Sequence, residues 1–194
     1  MTRDLIYHEG SRRLQDQFDS RRLADHLKAH TTFSERDRTI IEEAPFFFLA
    51  TADAGGAPEC SFRGGLPGFV RITGPSEIAF PDYDGNGMFK SLGNVLINPQ
   101  VGLLFISFEH QRRLRLNGIA YLSVDDPLRS EFPGARLLVR VKAREIFANC
   151  PRYIHRMELQ EQSRYSPRSD YTPPEPEWKL KKGMAEVLPQ GEPG

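Results

Sequence analysis

The residues of this chain that could do chemistry are polar groups set among turns. Ser61 and Arg63 stand two apart in a strand-like segment, so both point to one side of it. Gly64-Gly65 follows, where the missing side chains let a ligand approach the backbone. Asn86 lies where a helix is expected to start, with Lys90, Ser91 and Asn94 a turn or so later. A helix N-terminus offers free N–H groups and a partial positive charge, which suits a phosphate. Arg115 and Asn117 share a strand face opposite Leu114 and Leu116. Together these groups could hold an anion. The plainer alternative stays open: Asn86 and Ser91 cap a helix, and Ser61 and Arg63 line a solvated sheet face.

Other chemistries leave no trace. There is no nucleophile-elbow serine, no Walker phosphate loop, no His-Glu-x-x-His zinc helix and no dinucleotide glycine fingerprint. Of the five histidines, only His26 and His30 have a ligand-like i, i+4 spacing, and a solvated helix face accounts for them. The two cysteines, Cys60 and Cys150, form no CxxC and read as buried structural thiols in a reduced compartment.

Lys plus Arg and Asp plus Glu both number 26, so no cationic surplus points to nucleic acid. No apolar run reaches the roughly 20 residues that span a bilayer. Met1 to Gly10 shows no basic region leading into an apolar stretch, so no secretory leader is expected. The expected location is cytoplasmic.

The elements that must position these groups follow from periodicity. Residues 1–30 are charged and helical in pattern, with Leu14, Phe18, Leu23 and Leu27 at i, i+4 spacing and Asp19 and Ser20 as possible caps. Such helices have one apolar stripe and must lie on something else. Ser34 to Asp37 resembles a capping box for a helix that Pro45 stops. Phe46–Thr51 and Pro58–Arg63 read as a hairpin, followed by short strands at Phe69–Ile72 and Glu77–Phe80. A polar loop at 81–87 leads to a helix with Met88, Leu92, Val95 and Leu96 on one face, ending at Asn98-Pro99. Strands follow at Val101–Phe108, Arg113–Val124 and Arg136–Phe147. In the last, Val139, Val141 and Ala143 alternate with Arg140, Lys142 and Arg144. Six or seven strands, short connections and one intervening helix favour a small antiparallel barrel, mainly β with peripheral helices. Residues 1–44 read as a helical extension, 45–148 as the barrel, and 149–194 as a Pro-rich extension anchored by Trp178.

An ordered series of segments resembles the pyridoxamine phosphate oxidase-like flavoproteins. It runs from Phe46–Asp53 through Cys60-Ser61-Phe62-Arg63-Gly64-Gly65, Pro67–Arg71 and Ala79–Asn86 to Ser91–Asn94. Asn98–Phe105, Arg113–Gly118 and Asn149–Ile154 continue it. The resemblance implies a six-stranded, Greek-key, antiparallel split β-barrel that forms a homodimer with FMN at the interface. It places Ser61, Arg63, Asn86, Ser91 and Asn94 around the FMN phosphate, and Tyr83 and Asp84 along the flavin edge. Arg115 and Asn117 would face the cofactor from the same or the partner subunit, with Arg115 offsetting the charge of reduced flavin. Lys90 is the basic group at the helix start.

Two departures matter. The oxidase's Ser-Arg-Lys run is replaced by Gly87-Met88-Phe89-Lys90-Ser91, and its C-terminal Arg-x-His has no counterpart beyond Arg152 and His155 at a different spacing. Vitamin B6 oxidation is therefore not expected. The expected function is an FMN-dependent oxidoreductase on a small substrate. The alternatives are a non-catalytic flavin carrier or electron-transfer protein, or a deazaflavin-dependent reductase. Haem fits poorly, because no barrel strand carries a histidine.

Overall fold

The computed structural model describes residues 7–189. Seven strands form one antiparallel sheet in the order β2-β1-β5-β6-β7-β4-β3. They are β1 (Phe46–Ala52), β2 (Pro58–Gly64), β3 (Arg71–Gly74), β4 (Glu77–Asp82), β5 (Gln100–Ser107), β6 (Arg112–Ser123) and β7 (Leu137–Ala148). Strands β5, β6 and β7 run as a meander, and β4 lies beside β7. With the long β4–β5 connection, this is a Greek key. The strand count exceeds the six implied by the resemblance because the short β3 pairs with β4 as a separate edge ribbon. Phe69 and Val70, expected to start that strand, precede it as buried loop residues.

The sheet curls on itself. Phe47 of β1 and Phe80 of β4 are fully buried with ring centroids 4.9 Å apart, although β5, β6 and β7 stand between their strands in the sheet. Only a curved sheet brings them together. Phe105 joins them at 5.1 Å from Phe47, and Leu49, Leu103, Leu114, Leu116 and Ile146 complete the fully buried interior. Helix α3 (Glu35–Glu43) contacts β3, β5 and β6, and it buries Ile40 and Ile41.

The capping box of α3 is formed, with Asp37 in the acidic place. Asp37 is buried, and His30 Nε2 lies 2.7 Å from its carboxylate. Burial opposes its charge, but hydrogen bonds from the Ser34 side chain and backbone and from His30 outweigh this and hold its pKa below the ordinary value. His30 also pairs with Ile146 through backbone bonds of 3.0 and 2.8 Å. It therefore has a structural partner on each side.

Helices α1 (Glu9–Gln17) and α2 (Arg21–His26) fold against each other through Arg12–Asp25 and Tyr7–Ala24 bonds. Their apolar stripe does not find the expected cover within the chain: Leu14, Phe18, Leu23 and Leu27 are all exposed. Ser20 takes the N-cap place of α2 but its hydroxyl donates to the Gln15 carbonyl at 3.4 Å instead of capping the helix, and Asp19 adopts a left-handed conformation. Helix α4 (Lys90–Ile97) starts two residues later than Met88. Of its expected apolar face, only Leu92 and Val95 are buried, and Leu96 is exposed.

The alternation of β7 breaks at a bulge. Asn117 pairs with Glu145 but Gly118 pairs with Ala143, leaving Arg144 as the extra residue. Val139, Val141 and Ala143 are buried before it, and Ile146 takes the buried place after it. Gly118 makes this crossing possible. A Cβ there would lie 2.4 Å from the Lys142 carbonyl oxygen and 2.9 Å from a Val141 methyl. Gly118→Ala is expected to lower stability by about 2–3 kcal/mol in urea unfolding. Gly93 on α4 has open space around it. Gly93→Ala should raise stability by about 0.5–1 kcal/mol in the same assay.

Candidate functional site

A cavity of about 560 Å³ opens where the outer end of β2 meets the loop after β4 and the start of α4. Ser61, Arg63, Tyr83, Asn86, Lys90 and Ser91 all line it, so six of the sequence-selected residues converge there. Strand alternation puts Ser61 and Arg63 on its wall. Buried Ser91 donates from Oγ to Ser61 Oγ at 2.9 Å, stitching α4 to β2.

The helix start is built as an open donor site. Phe89, at φ 47°, is a left-handed N-cap with no side-chain cap bond, and the first turn carries no acidic residue. The first helical bond runs from Gly93 N to Phe89 O at 2.6 Å, so the N–H groups of residues 90–92 have no partner among the described residues. Asn86 lies before the helix rather than in it, and its Oδ1 accepts from Met88 N at 3.0 Å. That Asx turn and the left-handed Gly87 aim the loop into α4.

Charge is concentrated on one buried carboxylate. Asp82, at the end of β4, accepts from Arg63 at 2.8 Å and from Arg136 at 2.8 Å. Arg136 also donates to the Tyr83 carbonyl at 2.9 Å and sits 4.7 Å from the centroid of the Phe89 ring. Sequence reading missed Arg136 because it lies about fifty residues from the loop it joins. Its only local signal was its place as a polar residue just before β7. Lys179, from the C-terminal extension, pairs with Asp84 at the cavity mouth and was also unforeseen.

Three selected residues lie elsewhere. Asn94 turns under α4 and donates from Nδ2 to Thr51 Oγ1 at 3.1 Å, and Thr51 in turn donates to Glu59 of the cavity wall at 3.1 Å. Asn94 therefore supports the wall without lining it. Arg115 and Asn117 project from the outer face of β6, with Arg115 beside Phe147 and Asn117 donating to Glu145 at 3.0 Å. Within one chain they do not reach the cavity. Cys60 and Cys150 are exposed rather than buried. A backbone hydrogen bond from Arg152, with help from the charges of Arg152 and Arg113, holds the Cys150 thiol below its ordinary pKa.

The residues present fit a phosphate-bearing group. Nε of Arg63 and Nε of Arg136 are both buried without a partner, and both side chains line the cavity. Buried donors left unpaired are costly, so an anion that accepts from them is favoured. The uncapped helix start and Lys90 add positive potential at the same place.

Comparison with known proteins agrees with this architecture. The family model for pyridoxamine 5'-phosphate oxidase matches residues 33–170, and the chain belongs to that family. No curated protein matches the chain. Among solved structures, a protein from Lactobacillus delbrueckii assigned as a pyridoxamine 5'-phosphate oxidase is 20% identical, with a TM-score of 0.51. That alignment covers 63% of this chain and all of the other. The heme storage protein HutZ of Vibrio cholerae is 19% identical over 60% of this chain and 94% of its own, with a TM-score of 0.44. An F420 reductase is 16% identical over 59% of this chain and 98% of its own, with a TM-score of 0.44. The likeness to the Lactobacillus delbrueckii protein is one of fold. Among the described residues, no helix is long and apolar enough to cross a membrane.

Tyr83 gives the site a spectroscopic handle. Desolvation pushes its phenol up to about 12, so it stays neutral when ordinary tyrosines ionise. A raised pKa adds stability that is full below the unfolded value near 10 and is lost as pH rises toward 12. Burial and its bond to Glu77 also raise Tyr121, so titration at 295 nm should show late-ionising tyrosine absorbance that Tyr83→Phe reduces.

Proposed function

We propose that this protein is an FMN-binding flavoprotein, working as an FMN-dependent oxidoreductase on a small substrate and as a homodimer. The observation that carries the reading is the pair of buried, unpartnered guanidinium N–H groups of Arg63 and Arg136 beside the uncapped start of α4. FMN, when bound, supplies the capacity to accept a hydride or two electrons. The chain's own residues do the rest. Arg63, Arg136, Ser61 and the N–H groups of α4 hold the phosphate. Asp82 fixes both guanidinium groups so that their donors are oriented before the ligand arrives. Tyr83 keeps a neutral, hydrogen-bonding phenol in the cavity.

The dimer rests on a second observation. Cross-strand partners place Phe62, Phe48, Leu104, Arg115 and Phe147 in one row on the outer face of five strands. Phe62 is 62% exposed and also lines the cavity. The outer face of β4 and β7, by contrast, is covered by the chain's own segment through Leu128, Phe132 and Ala135. A second copy seated on the open face would lie against the cavity. Its Arg115 and Asn117 would reach the neighbour's cofactor, which accounts for their distance from their own.

Two experiments test this. Titration of the purified protein with FMN, followed by quenching of flavin fluorescence, should saturate at one FMN per chain. Arg63→Ala or Arg136→Ala should weaken binding about 10–100-fold, the worth of a hydrogen bond to a charged group. Absence of saturable FMN binding to wild type would overturn the reading. Saturable binding without any anaerobic reduction by nicotinamide donors would favour a flavin carrier over an oxidoreductase. Sedimentation should give a dimer for wild type and a monomer for Phe62→Asp. A wild-type monomer that still binds FMN would refute the shared site.

A further inference from the structure

A second cavity, of about 520 Å³, lies on the other side of the β1–β2 ribbon and shares no lining residue with the first. The two are separated by one stacked aromatic pair, Phe46 and Phe62, with ring centroids 5.3 Å apart and planes 19° apart. Ile40 and Ala44, both buried, contribute its apolar floor. Phe46 and Phe108 form an aromatic wall, 6.1 Å apart and nearly parallel at 23°. The chain supplies its own roof. Met157 N donates to Phe108 O at 3.4 Å, and Leu159 N donates to Glu109 Oε1 at 3.1 Å. Both roof side chains are half exposed in the structure. The result is a concave slot in the size range of small-molecule sites, not the flat face that suits a protein partner.

The charge around this slot is one-sided. Three carboxylates line it, Glu43, Glu109 and Glu158, against one permanent cation, Arg112. The side chains of Glu43, Glu158 and Arg112 have no hydrogen bond or ion pair among the described residues, and Glu109 spends one oxygen on the Leu159 amide. His110 also lines the slot, and it donates only its backbone N–H, to Ser107. An apolar body with parallel aromatic walls and an excess of carboxylates recognises a hydrophobic cation, because ring faces and carboxylates both attract positive charge.

We propose that this cavity is a second ligand site, which takes an apolar or aromatic molecule bearing a protonated amine. The site does not depend on what the first cavity holds.

A matched series of probes tests it: 4-phenylbutylamine, 4-phenylbutanol and 4-phenylbutanoate, titrated into the full chain by calorimetry at pH 7 and low salt. The amine should bind saturably at one site per chain, about tenfold tighter than the alcohol, with the carboxylate weakest. Glu43→Gln combined with Glu158→Gln should bring the amine to within about twofold of the alcohol and leave the alcohol unchanged. Both positions are exposed, so the melting temperature should hold. Ile106→Trp, which fills the slot, should abolish binding of all three. Equal affinity for amine and carboxylate, an amine preference that survives the double glutamine variant, or no saturable binding of any probe to wild type would each overturn the proposal.

Discussion

Asp82 is buried to 4% exposure and touches two guanidinium groups that arrive from opposite directions in the chain. Arg63 comes from β2, the first strand of the sheet order, and Arg136 comes from the entrance to β7, near the other end. No strand pairing joins β2 to β4; the carboxylate does. Removing a charge from water costs several kcal/mol unless its partners are well placed, and breaking such a group by deleting a partner costs about 3–5 kcal/mol. The barrel seam and the candidate site thus depend on the same three side chains. The geometry that closes the fold is also the geometry that orients the donors.

Much of this was legible because it is local. The capping box at Ser34 and Asp37, the Phe46–Ala52 and Pro58–Gly64 hairpin and the existence of strands β5 and β6 follow from spacing alone. The convergence of Ser61 and Ser91 was implied by the family resemblance rather than by spacing. What escaped was set by contacts between distant segments. Arg136 reaches the site only because β7 pairs with β4, and Lys179 only because the C-terminal extension returns to Asp84. The late start of α4 comes from the left-handed Phe89, which a bulky residue adopts only when its surroundings hold it there. Here the Arg136 guanidinium lies over its ring.

The exposed apolar groups form a pattern that a single chain does not resolve. In the row from Phe62 to Phe147, Phe62 is exposed and Phe48, Leu104 and Phe147 are half-buried, while the stripe of α1 and α2 is exposed throughout; contiguous apolar patches mark places where something docks. One bulge sets part of this pattern. By adding Arg144 to β7, it switches which side chains point outward, and so brings Phe147 into line with Arg115. The same residues paired regularly, with Arg144 opposite Asn117, would turn Ile146 out and Phe147 in.

A seam held by a carboxylate between two cations has a thermodynamic corollary. Any anion that accepts hydrogen bonds from Arg63 and Arg136 also secures the link between β2 and β4, so ligand occupancy and local unfolding are linked functions. Protection of the β2 and β4 amides against solvent exchange is then a direct gauge of occupancy.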